Sequence, residues 1–62
     1  MTIIARFFAH TSNRNVVEFK ASAHCRENLW HEVAERINEI EKESGEKVDT
    51  VVTEWEITKL ED

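Results

Sequence analysis

Proline is absent from this sequence, and glycine and cysteine occur once each, at Gly45 and Cys25. Without proline or a Gly/Ser-rich stretch there is no linker to divide the chain. A lone cysteine excludes an internal disulfide, and with it the stapled scaffold of small secreted domains. One glycine cannot build a glycine-rich loop around a phosphate. No long hydrophobic run is present either. Arg6 interrupts "MTIIARFFAH", which is too short for a membrane span and lacks the basic start and small-residue cleavage site of a signal peptide. A cytoplasmic protein without membrane association is expected.

Hydrophobic residues make up 40% of the chain and charged ones 34%, a balance that suits a folded domain rather than a disordered one. With 62 residues, 1–62 is expected to form one domain. A chain of this size buries only about 60% of the surface its unfolded form exposes, so a partner subunit would help it.

The net charge of −5 is unevenly placed. Residues 1–31 hold Arg6, Arg14, Lys20 and Arg26 against Glu18 and Glu27; residues 32–62 hold four bases against eleven acids. Such asymmetry points to a charged partner. It argues against nucleic acid as the main ligand, because neutralising phosphates takes a clustered basic face.

Residues 2–10 alternate with period two, and so do 15–21 beyond the turn formers "TSNR", which is the pattern of a β-hairpin. Ser22 is the expected N-cap of a helix over about residues 23–44, because its hydroxyl can accept from a first-turn amide. Leu29, Trp30, Val33, Ala34, Ile37 and Ile40 recur at the helical period, and Gly45 follows where a left-handed C-cap is wanted. Residues 48–60, rich in valine and threonine, read as a long last strand. The expected fold is α+β: a two-layer β-β-α-β unit, a three-stranded antiparallel sheet in order 2-1-3 with one helix on one face. The crossover is expected to be right-handed.

One helix covers one side of such a sheet. Strict alternation assigns Ile3, Phe7, Val17, Phe19, Val51, Trp55 and Ile57 to the covered side, against the helix stripe. The far side is then left with Ile4, Phe8, Val16 and Val52, ringed by Arg6, Glu18, Lys20, Glu54 and Glu56. An apolar centre in a charged rim is the pattern of a contact patch, for a second copy or a foreign protein. Trp30 and Trp55 are read as core.

Catalytic and metal motifs are not evident. Cys25 beside a helix start is most simply a half-buried thiol, and adjacent His24 points about 100° away from it. His24 and His31 stand about 10 Å apart along the helix, and Glu27, His31 and Glu35 do not form the ligand set of a zinc site. Carboxylate pairs such as Glu54 with Glu56 lack the cleft that acid/base chemistry needs. No enzyme activity, metal or cofactor is expected. Phe8 with Arg6, Arg14 and Lys20 offers a weaker reading as a small RNA-binding module.

The stretch "EIEKESGEKVDTVVTEWE", residues 39–56, carries seven acids in eighteen positions. Glu32, Glu35, Glu39 and Glu43 recur every three or four residues on the helix, Glu46 follows its cap, and Glu54 and Glu56 are expected on the open sheet side. Such an acidic ridge would suit the basic surface of a larger protein or nucleoprotein complex. In size, acid excess and lack of catalytic residues the chain resembles, in kind, the small acidic proteins that phages and mobile elements use against host defence, anti-CRISPR proteins among them. That resemblance implies a non-catalytic inhibitor occluding a nucleic-acid-binding surface in the host cytoplasm. A homodimeric adaptor using Ile4, Phe8, Val16 and Val52 is the alternative.

Overall fold

A computed structural model describes residues 1–60; Glu61 and Asp62, which were counted in the acid excess above, lie outside the described residues. The chain runs β1 (Thr2–Thr11), β2 (Val16–Ala23), α1 (Arg26–Ser44) and β3 (Val48–Lys59). Both outer strands pair antiparallel with β1, so the three-stranded sheet has the order β2-β1-β3. The α+β architecture is therefore the one the periodicities describe, with the most apolar strand in the middle.

The β1–β2 turn closes with the amide of Thr11 donating to Asn15 O at 2.9 Å and that of Arg14 donating to Thr11 O at 3.1 Å. The buried Thr11 hydroxyl also accepts from the Asn15 amide at 3.1 Å. The left-handed residue of this turn is Arg14 (φ 66°).

The helix begins later than its sequence signals suggest. Ser22 lies within β2, paired with Ile4, because the hairpin ladder continues to Ile3 and Ala23. The N-cap is Cys25, extended at φ −149° and ψ 164°, and its side chain makes no cap hydrogen bond. At the other end Gly45 adopts φ 72° and its amide donates to Glu41 O, the left-handed cap that only glycine takes without strain.

The core sits between sheet and helix. Ile3, Ala5, Phe7 and Ala9 of β1, Phe19 and Ala21 of β2, and Leu29, Val33 and Ile40 of α1 are buried. Phe7 and Phe19 stack across the strands with centroids 5.3 Å apart. The helix lies chiefly over β2. Seen down α1, the buried stripe is narrower than the sequence suggests: Ala34 is exposed, and Trp30, about 70° from the stripe's centre, is 51% exposed. Its ring leans on the edge of the core, 5.9 Å from Phe7. Arg36 occupies the opposite edge of the stripe, 5.9 Å above the Phe19 ring.

Strand β3 departs from strict alternation. Thr53 is opposite Phe7 and Trp55 opposite Arg6, so Glu54 is an extra residue; a second irregularity separates Thr50 from Val48. A bulge of one residue reverses which side every later residue faces. Val51 stays on the helix side with Ala9, but Trp55 and Ile57 come opposite Arg6 and Ile4, on the open side. Glu56 and Thr58, opposite Ala5 and Ile3, pass to the helix side. The assignment of Trp55 and Ile57 to the core, and of Glu56 to the open face, is corrected accordingly.

Candidate functional site

Two surfaces hold the residues that the sequence singles out. The first is the open face of the sheet. Even-numbered residues of β1 lie on it, with Ile4 opposite Ser22 and Ile57, Arg6 opposite Lys20 and Trp55, Phe8 opposite Glu18 and Val52, and His10 opposite Val16 and Thr50. All four apolar residues expected here are here: Ile4 and Phe8 are half-buried among their neighbours, while Val52 is 44% and Val16 54% exposed. Trp55 and Ile57, the latter 50% exposed, enlarge the patch beyond its sequence-level extent. Only the bulge reveals them, and a run of alternating residues carries no direct sign of a bulge.

Arg6 stands in the middle of this patch. Its guanidinium binds Glu18 on one neighbouring strand through Nη2. On the other, Nε lies 3.0 Å from Glu54 Oε2, in ion-pair contact although not aligned for a hydrogen bond. The same guanidinium rests 5.4 Å from the Phe8 ring centroid, within cation–π range. The hydrogen bond to Glu18 is the main cause that raises the Arg6 pKa, with burial opposing it and the charges of Glu18 and Glu54 adding to it. Three strands are thus tied together at one arginine, and its charge is compensated within the chain.

The second surface is the flank of α1. Glu32, Glu35, Glu39 and Glu43 are all exposed, and helical geometry places them on one side, about 100° from the centre of the core stripe. This is the side of Arg36, which sits over Phe19 of β2, so the row overhangs the β2 edge. Glu32 lines a shallow depression with Lys20, Ala21 and Ser22 of that strand. Arg36 Nη1 donates to Glu39 Oε2 at 3.2 Å. Among the described residues, Glu32, Glu35 and Glu43 have no counter-ion.

The remaining acids of the expected ridge do other work. Glu46 accepts from the Asn15 side-chain amide at 3.0 and 3.1 Å, which ties the β1–β2 turn to the loop after α1. Bonds from Asn15 first, then Asn13 and Thr11, hold its carboxyl below the usual range, against the opposing effect of burial. Glu54 engages Arg6, as above. Glu56 takes a two-pronged hydrogen bond from Arg26, 2.8 Å at Nη1 and 2.5 Å at Nη2, joining the start of α1 to β3. That bond is the first cause of the raised Arg26 pKa, and the Glu56 charge adds to it. The ridge is therefore shorter than the sequence suggests, running from Glu32 to Glu43.

Glu54 and Glu56 engage different arginines on opposite faces, so they do not form an acid/base pair. His24, His31 and Glu32 line one open depression of about 470 Å³ between the sheet's end and α1. There the His24 Nδ1 lies 3.2 Å from Met1 O. Among the described residues no three His, Cys, Asp or Glu side chains converge as metal ligands, and no helix is long and apolar enough to cross a membrane. Compared with protein-family models, with curated proteins and with solved structures, the chain matches none.

Proposed function

We propose that this chain is a non-catalytic protein-binding module whose acidic helix flank meets the basic surface of a larger nucleic-acid-handling protein or complex. The observation that carries this reading is how the bases are used. Arg6 and Arg26 are spent on Glu18, Glu54 and Glu56, and among the described residues Glu32, Glu35 and Glu43 have no counter-ion on one helix flank. Fold stability alone would not select such a row, since neighbouring like charges repel by a few tenths of a kcal/mol each. Helical spacing repeats the carboxylates at about 5–6 Å, comparable with phosphate spacing along a nucleic-acid strand. A protein channel that binds phosphates would attract the row and be blocked by it, mainly through fast, salt-sensitive association. That is the manner of the phage-type inhibitors, anti-CRISPR proteins included, that the chain resembles in size and acidity.

Pull-down from a host lysate across salt steps, comparing wild type with Glu32→Lys/Glu35→Lys, tests the reading. Partners lost in the variant and at high salt agree with it; equal recovery by both proteins contradicts it. The apolar open face favours a second reading, a homodimeric adaptor. Against an RNA-binding role, Arg6 beside Phe8 is already bound by two carboxylates.

A further inference from the structure

We propose that the open sheet face is closed by a second copy of this chain, two sheets packing face to face around a two-fold axis. This makes specific the adaptor reading above and does not depend on the acidic flank. Ile4, Phe8, Val52, Trp55 and Ile57 form one apolar patch across β1 and β3, with Arg6 inside it. Tryptophan, phenylalanine and arginine are the residue types that dominate interface cores.

The occupant follows from charge. A partner chosen by its charge needs an uncompensated charge to meet, and the centre of this patch offers none, because Arg6 is neutralised by Glu18 and Glu54 of the same chain. Among the described residues only Lys20 and Lys59 add charge around the patch, so this part of the face is close to neutral. Across the molecule, α1 has six acids against Arg26, Arg36 and Lys42. In a face-to-face pair the sheets would be about 10 Å apart, with each helix about 10 Å further out. The two acidic flanks would then be separated by about 30 Å, well beyond the screening length of about 8 Å at physiological salt. Among the described residues, charge therefore does not oppose pairing through this face, whereas pairing through the helices would bring like charges together.

Area sets the size class of the contact. Three strands about 4.8 Å apart and a paired length of about nine residues give a face of roughly 14 by 30 Å. Two such faces cover roughly 850 Å² before side-chain relief is added, near the threshold of about 1,000 Å² for a specific interface. A weak two-fold dimer is expected, each patch serving as its own complement.

The test is sedimentation equilibrium of the full chain from about 1 to 300 μM, the concentration range in which a micromolar complex forms. Average mass should rise from 7.3 kDa towards twice that value and should not fall in about 1 M salt, which screens charges. In a Trp30→Phe background, Trp55 emission should shift to shorter wavelength over the same range. Val52→Glu and Ile57→Glu, at exposed positions, should each weaken association at least about tenfold with circular dichroism unchanged. Glu32→Lys/Glu35→Lys should dimerise like wild type, so a failed pull-down and a failed dimer are separate outcomes. Wild type remaining monomeric throughout overturns the proposal. So does a dimer with unshifted Trp55 emission, the result expected if strand edges rather than faces meet. If one glutamate variant loses its fold, the other and the Trp55 emission decide.

Discussion

Phe7 and Glu46 show two kinds of residue-level dependence. Phe7 is 1% exposed, stacked on Phe19 and touched by Trp30, so it is the centre of the core. Truncating such a side chain costs about 3–5 kcal/mol. A domain of this size has a total stability of only about 3–9 kcal/mol. Phe7→Ala should therefore leave a largely unfolded or barely folded chain in urea titration, and a loss below about 1 kcal/mol would show that the core is elsewhere. Glu46 contributes through its charge. Its carboxyl is bonded by Asn15 and Asn13 and its folded pKa is lowered from 4.5, so the stabilisation is present above that value and is lost as pH falls through the lowered one. Melting temperature should drop between neutral and acid pH less in Glu46→Gln than in wild type. The same drop in both would mean that the Asn15–Glu46 tie contributes nothing.

The elements of this fold were legible in the sequence where local chemistry dictates them, and illegible where the partner strand does. Period-two and 3.6 patterns locate β1, β2 and α1, and Gly45 marks the helix end. Its φ of 72° with no neighbour within 4 Å means that Gly45→Ala meets backbone strain alone, expected to cost about 1 kcal/mol in thermal denaturation. The helix start was misplaced because Ser22 has the chemistry of a cap but is held in the β1–β2 ladder. That leaves Cys25 as a cap without a cap bond, so Cys25→Asp, which can accept from first-turn amides, should add about 0.5–1 kcal/mol by the same measurement. No gain would place the helix start elsewhere. The bulge at Glu54 had no signature in the alternating "VVTEWEIT", because a bulge is a property of pairing with β1. The expected open-face residues Ile4, Phe8, Val16 and Val52 were legible since they precede it in the chain or lie on other strands. Trp55, Ile57 and Glu56, which follow it, were not.

At the scale of the whole molecule, the extents of 44 × 18 × 14 Å describe an elongated body with different chemistry on its two sides. Among the described residues, the helix side carries Glu32, Glu35 and Glu43 without a counter-ion, and the sheet side carries apolar residues around a self-neutralised arginine. Arg6 and Arg26 bind the sheet carboxylates Glu18, Glu54 and Glu56, and neither pairs with Glu32, Glu35 or Glu43. The bulge links the two sides. By inserting Glu54 it supplies one partner of Arg6, turns Glu56 towards Arg26, and places Trp55 and Ile57 on the open face.

That placement of Trp55 is the point on which the two-sided description stands, and nuclear Overhauser contacts of its indole ring in dilute protein measure it most directly. Contacts to Arg6 and Ile57, with none to Leu29 or Val33, are predicted. Contacts from the Trp55 ring to Leu29 or Val33 would mean an unbulged β3 with its tryptophan under the helix, and would contradict the account.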